Sequence, residues 1–97
     1  MRDAEFEWDD RKAARNATVH GVGFDVARLA FDDGFAVVRA DRRQDYGEDR
    51  ALLLGMVDNR LLAVVYTLRG ERIRIISART AEPREKRRYH EENSQTF

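Results

Sequence analysis

The sequence predicts an α+β domain, because helical patterns lie near its two ends and four β-rich segments lie between them. The last three of these segments are joined by short turns, at Asp58-Asn59 and at 69–71. Short turns favour an antiparallel meander, since parallel strands need long crossover connections. The 97 residues amount to one domain, which we assign to 1–97.

Two helices are predicted before the first strand. Residues 9–20 begin at Asp9, whose carboxylate can accept hydrogen bonds from the first helical amides, and stop at Gly21, which favours a left-handed conformation. Residues 24–31 carry apolar side chains at helical spacing and predict a second short helix.

The β-rich segments and the final helix follow from composition and turn residues. Pro83 suits the first position of a helix, because its missing amide would be unpaired there in any case. We predict strands over 35–40, 51–57, 61–68 and 72–78, and a charged helix over 83–92.

Composition excludes several classes of protein. The 18 basic and 18 acidic residues cancel, so nucleic-acid binding would need a local basic site rather than a general positive field. The chain has no cysteine, which fits a reducing cytoplasm, and no apolar run approaches the roughly 20 residues that span a bilayer. The opening MRDAEFEWDD lacks the apolar segment of a signal peptide.

A polar row is predicted along the first helix. Trp8, Lys12, Asn16 and His20 are spaced by four, so they share one face. An ammonium, an amide and an imidazole on one face can hold an anion and move a proton. The alternative is a solvated face anchored by Trp8.

The fourth strand predicts a pair of arginines on one face of the sheet. Arg72 and Arg74 share one face, and Ile73 and Ile75 share the other, which we expect to pack on the helices. Guanidinium groups bind phosphate oxygens through two hydrogen bonds, although a basic strand can also serve only to prevent edge pairing. Arg79 has the parity of the isoleucines and is expected to point inward or to a rim, beside a carboxylate or an anion.

The chemistry near the C-terminus and in the acidic loop is less specific. Tyr89 is expected to dock the last helix on the body with its hydroxyl at the edge, on the same face as Glu85. Two histidines and no cysteine make a structural zinc site improbable, so we predict no metal cofactor. The one alternative is a metal bound by the acidic loop, through Asp41, Asp45, Glu48 and Asp49.

These features together resemble the BrnT family of toxins. The first block, FEWDDRKAARNATVHGVGFDVA at 6–27, contains a Trp-Asp pair, a lysine, an asparagine and then His-Gly-Val. The second is RALLLG at 50–55, and the third, at 64–89, includes Arg-Ile-Ile-Ser-Ala-Arg at 74–79 followed by Glu85 and Tyr89.

The resemblance implies a RelE-like fold and a cytoplasmic endoribonuclease of a type II toxin–antitoxin pair. It also implies a BrnA-type antitoxin, a toxin–antitoxin heterotetramer, and contact with DNA only through the antitoxin. With the residue patterns, it predicts RNA contacts at Arg50, Arg72 and Arg74. The predicted catalytic groups are Lys12, His20, Arg72, Arg74, Arg79 and Tyr89. The competing interpretation is a non-catalytic module, which either binds RNA without cleaving it or serves as the protein partner of a DNA-binding regulator.

Overall fold

The computed structural model describes residues 1–42 and 47–94 and confirms the α+β class. Its helices are α1 (Asp10–His20), α2 (Phe24–Ala27), a 3₁₀ helix (Arg28–Asp32) and α3 (Pro83–Ser94). Its strands are β1 (Phe6–Glu7), β2 (Val37–Ala40), β3 (Ala51–Val57), β4 (Arg60–Arg69) and β5 (Arg72–Thr80). No helix in the described ranges is long and apolar enough to cross a membrane.

The strands form one sheet in the order β1-β5-β4-β3-β2. The predicted meander from β2 to β5 is confirmed, with the Asp58-Asn59 turn between paired Val57 and Arg60 and a positive φ of 55° at Asp58. Strand β1 was not predicted. It is only two residues long, too short to show an alternating pattern, and it pairs in parallel with β5.

The ends of the first helix follow the local sequence signals. The Asp9 carboxylate accepts hydrogen bonds from the amides of Arg11 and Lys12, and Gly21 ends α1 with a φ of 69°. The predicted second helix is divided into α2 and the 3₁₀ helix. The placement of Trp8 on the α1 row was wrong, because Trp8 precedes the helix and packs edge-on against Phe24 in the core.

The sheet is covered by helices on both sides. We call the side that packs on α1, α2 and the 3₁₀ helix the helical face, and the side that packs on α3 the α3 face. The helical face is close-packed, because a Cβ added at Gly55 in β3 would lie 2.4 Å from the Ala30 carbonyl oxygen. Its core includes Phe6, Trp8, Val22, Phe24, Leu53, Leu62, Val64 and Ile75, and the smaller α3 core includes Val37, Leu54, Leu61, Ala63, Ala81 and Tyr89.

Candidate active site

Strand β5 presents its arginines on the α3 face. Ile73 and Ile75 pack in the core of the helical face, as expected, so Arg72 and Arg74 point to the other side. The prediction that Arg79 lies on the same face of β5 as Ile73 and Ile75 was wrong. A bulge in β5 opposite the Val65–Tyr66 step inserts one residue, so Arg79 pairs across from Ala63 and joins the face of Arg72 and Arg74.

Arg72 and Arg74 each bind the N-terminal segment through part of the guanidinium group. Arg72 Nε donates to the Asp3 carbonyl oxygen at 2.7 Å, and Arg74 Nη1 lies 2.8 Å from the Glu7 carboxylate. The side chain of Arg74 is 25 % exposed. A guanidinium has five N–H donors, so donors on both groups remain for an anion, and both groups are held in fixed positions.

Asp9 connects this pair to the start of α1. The hydrogen bond from the Lys12 backbone N–H is the main reason why the pKa of Asp9 is lowered, and the charges of Lys12 and Arg74 lower it further. Asp9 therefore remains ionised at neutral pH. The positive charges of Arg74 and Lys12 both act on the Asp9 carboxylate at the start of α1.

Lys12 and His20 line one shallow hollow of about 330 Å³, next to the bulge in β5. Ile76, the residue that the bulge displaces, forms part of its wall together with Arg15. The Lys12 and His20 side chains are both exposed, so a large anion can reach them.

Asn16, between them on α1, is buried and has a structural role. Its side-chain amide donates to the carbonyl oxygens of Val22 and Ala78, and its oxygen accepts the Ala78 N–H at 3.1 Å. It therefore pairs with the outer side of β5 as a neighbouring strand would. This role was not recognised in the sequence, where Asn16 was read only as part of a polar row.

Arg79 is bound by a carboxylate, as expected, although on the opposite face from the one predicted. Its guanidinium makes a two-point contact with Glu85 of α3, at 2.7 and 3.0 Å. Burial alone would raise the pKa of Glu85, but the hydrogen bonds from Arg79 and from the Glu82 N–H outweigh it and the pKa is lowered. An RNA phosphate that binds Arg79 would have to compete with Glu85.

Tyr89 is part of a half-buried polar contact that joins α3 to the loop before β2. Its hydroxyl donates to the Asp33 carboxylate at 2.7 Å, and the Met56 N–H donates to the same oxygen. Burial, together with the Asp33 contact, raises the pKa of Tyr89 to about 12. The hydroxyl is thus a poor proton acceptor or donor for catalysis near neutral pH, and the geometry gives Tyr89 a positioning role. Asp33 was missed because it appeared only as a helix-ending residue.

Arg50 lies at the same end of the sheet as Arg72 and Arg74. It directly precedes β3, its Nε contacts Glu48 at 3.2 Å, and it lines a hollow of about 550 Å³ with Tyr66 and Thr67. Thr67 pairs across from Arg74, so this hollow adjoins the arginine pair.

The acidic loop was the one alternative metal site. Asp45 falls outside the described residues, and across 1–42 and 47–94 no three His, Asp or Glu side chains converge as metal ligands would.

Comparison with known families adds one result. Residues 8–85 match the family model described as "Ribonuclease toxin, BrnT, of type II toxin-antitoxin system". No curated protein matches the chain. The matched range starts at Trp8 and ends at Glu85, so it includes α1, the whole meander and the Arg79–Glu85 contact.

Proposed function

Because the chain belongs to the BrnT family of ribonuclease toxins from type II toxin–antitoxin systems, we propose that it cleaves RNA without a metal ion. The site is the outer side of β5 with the adjoining face of α1. The observation that carries this assignment is the pair of fixed guanidinium groups, Arg72 and Arg74, together with the exposed Lys12 and His20 on the adjoining helix. The substrate of this site is RNA, and the protein acts in the cytoplasm.

Cleavage without a metal uses the 2′-hydroxyl of RNA as the nucleophile. Its oxygen attacks the adjacent phosphorus, the bond to the 5′-oxygen of the next nucleotide breaks, and a 2′,3′-cyclic phosphate remains. The intermediate carries additional negative charge on its non-bridging oxygens, which fixed cations stabilise. Arg72 and Arg74 are suited to this role because Asp3 and Glu7 hold them in place before the substrate arrives.

The reaction also needs one group to accept the 2′-hydroxyl proton and one to protonate the departing oxygen. His20 is our candidate for a relay that accepts the proton of the 2′-hydroxyl and then donates it to the departing 5′-oxygen, since imidazole exchanges protons near neutral pH and His20 shares an open hollow with Lys12. Arg79 remains a proposed phosphate contact, but its hydrogen bonds to Glu85 must break before it can bind a phosphate. Tyr89, which was also predicted to be catalytic, is now proposed to position α3 beneath Arg79.

The decisive experiment is incubation of purified protein with RNA in EDTA. We expect cleavage to continue, with products that end in a 2′,3′-cyclic phosphate, because every proposed group is a side chain. The Arg74→Ala variant, purified in the same way, controls for a contaminating nuclease. Activity that is lost in EDTA and restored by Mg²⁺ or Mn²⁺ would overturn the arginine mechanism, and RNA binding without cleavage would favour the non-catalytic module.

The second part of the proposal is that a BrnA-type antitoxin forms a heterotetramer with the chain and alone contacts DNA. It inhibits by covering Arg72, Arg74 and the Lys12–His20 hollow, and negative charge on the antitoxin would complement this surface. Growth and RNA integrity in a bacterium that expresses the chain, with and without the antitoxin gene of its operon, test this proposal. Unchanged growth when the chain is expressed alone would contradict it.

A further inference from the structure

The strands β1 and β2 are the two edges of the sheet, and no strand among residues 1–42 and 47–94 pairs with the outer side of β2. The short β1 edge is bridged by Arg2 of the N-terminal segment. The Asp41 N–H donates to the Arg50 carbonyl at 2.8 Å, which fixes the alternation along β2. Arg39 and Val37 therefore direct their backbone groups towards β3, opposite Leu52 and Leu54. The backbone N–H and C=O groups of Val38 and Ala40 point outward.

Apolar side chains are exposed beside this unpaired backbone. Val38 is 50 % exposed and Phe35, just before the strand, is 64 % exposed. An exposed edge with apolar side chains invites pairing with another chain, and proteins usually protect such edges with charges or coverage. The only charge on β2 itself, Arg39, points to the α3 face and pairs with Glu92 of α3.

The charge next to β2 indicates which kind of chain fits. A surface hollow between β2 and α3 contains four guanidinium groups and two carboxylates, from Arg39, Arg84, Arg87, Arg88, Glu91 and Glu92. A second copy of this chain, paired edge to edge, would bring two such basic surfaces together, and like charges on adjacent strands are destabilising. An acidic segment would be attracted instead.

We infer that the outer side of β2 binds an extended, acidic segment of the antitoxin, which adds a sixth strand to the sheet. Backbone hydrogen bonds to Val38 and Ala40 supply affinity, and the arginines of β2 and α3 select for acidic side chains. This inference rests on the proposed function only in taking the antitoxin as the partner. The strand order puts this surface at the opposite edge of the sheet from the proposed active site, with β2 about 14 Å from β5 across three strand spacings.

The test measures backbone amide exchange in the full chain, alone and in complex with the antitoxin of its operon. We expect the Val38 and Ala40 amides to exchange fast in the chain alone and at least tenfold more slowly in the complex. The Arg39 amide is an internal control, because it faces β3 and should be protected in both states. Equal exchange at Val38 and Ala40 in both states would overturn the inference.

A pair of variants separates the hydrogen bond from the fold. Val38→Pro removes an outward N–H and leaves the pairing with β3 intact, and Val38→Thr keeps the N–H and the branched shape. We expect at least tenfold weaker antitoxin binding for Val38→Pro and less than threefold for Val38→Thr. If both variants bind equally, the inference is wrong.

The same experiments distinguish this inference from the proposed function. Normal RNA cleavage with unaltered antitoxin binding by Val38→Pro would refute the inference alone. Loss of binding by Val38→Pro in a chain that never cleaves RNA would refute the ribonuclease proposal alone. Concentration-dependent dimers of the chain, abolished by Val38→Pro, would assign the edge to a second copy and overturn the inference.

Discussion

The two ends of the sheet, one along the outer side of β5, where β1 pairs, and the other along the outer side of β2, differ in how their backbone groups are paired. The outer side of β5 is closed by side chains and by the N-terminal segment: Ile73 N–H donates to Glu5, and the Asn16 amide binds both backbone groups of Ala78. Within residues 1–42 and 47–94, no strand covers Val38 and Ala40 on the outer side of β2. The closed side carries fixed cations and the open side carries unpaired backbone, so one suits catalysis and the other suits pairing.

The largest effect is expected where the closed side is broken, in Asn16→Ala. This change leaves the Ala78 N–H and C=O, both buried, without partners, and an unsatisfied buried group costs about 1–3 kcal/mol. We expect the free energy of unfolding to fall by about 3 kcal/mol in denaturant titrations.

Thr18→Ala is the matched control, because Thr18 lies on the same helix and its hydroxyl bond to Ala14 is exposed. We expect this variant to stay within about 0.5 kcal/mol of the wild type. If Asn16→Ala does the same, the outer side of β5 is not closed by Asn16.

The second largest effect is expected at Arg74, which the N-terminal segment holds in place on β5. Arg74→Ala removes a proposed phosphate contact, and we expect RNA cleavage to fall about tenfold to a hundredfold in initial-rate assays. Arg74→Lys should recover only part of the activity, because an ammonium lacks the two-point geometry of guanidinium. Arg60→Ala, an exposed change at the start of β4, is the control. Full activity in Arg74→Ala would show that Arg74 does not contribute to RNA cleavage and is only a solvent-facing residue of β5.

The smallest effect is expected at Tyr89, on the side nearer to β2. Tyr89→Phe removes the hydrogen bond to Asp33, and we expect a loss of about 1 kcal/mol in the free energy of unfolding at pH 7. Arg88→Gln, one residue away and exposed, should change it little.

The pH dependence gives a second readout for Tyr89. Its pKa is raised in the folded state from 10.0 to about 12, so folding favours the neutral hydroxyl. That contribution is complete below pH 10 and is lost as the pH rises towards 12, because the unfolded state then releases the proton more readily. Stability of the wild type should fall over this interval more steeply than that of Tyr89→Phe. Parallel curves would show that neither burial nor the Asp33 contact raises the pKa of Tyr89 in the folded protein.

The elements were predictable from the sequence where local chemistry decides them, and the site was predictable only in part. Asp9 and Gly21 define the limits of α1, and alternation along β5 correctly separated Arg74 from Ile73. The bulge in β5 depends on pairing with β4, so the true face of Arg79 could not be read from parity.

Long-range polar contacts were equally hidden from the sequence. Asn16 meets Ala78 across 62 positions and Tyr89 meets Asp33 across 56. A periodic pattern reports which residues share a face of one element, but it contains no information on such partners. The catalytic roles of Lys12 and His20 stay predictions for the same reason.

The parallel pairing of β1 with β5 also has a consequence for synthesis of the protein on the ribosome. The Ile73 N–H donates to the Glu5 carbonyl and Arg74 binds the Glu7 carboxylate. The N-terminal segment therefore cannot pair until residues 67 or 68 positions later have been translated. At about 5–20 residues per second, that delay is roughly 3–14 s. Arg72 and Arg74 reach their fixed positions only after the N-terminal segment has docked, so a nascent chain carries the arginines before it carries the site.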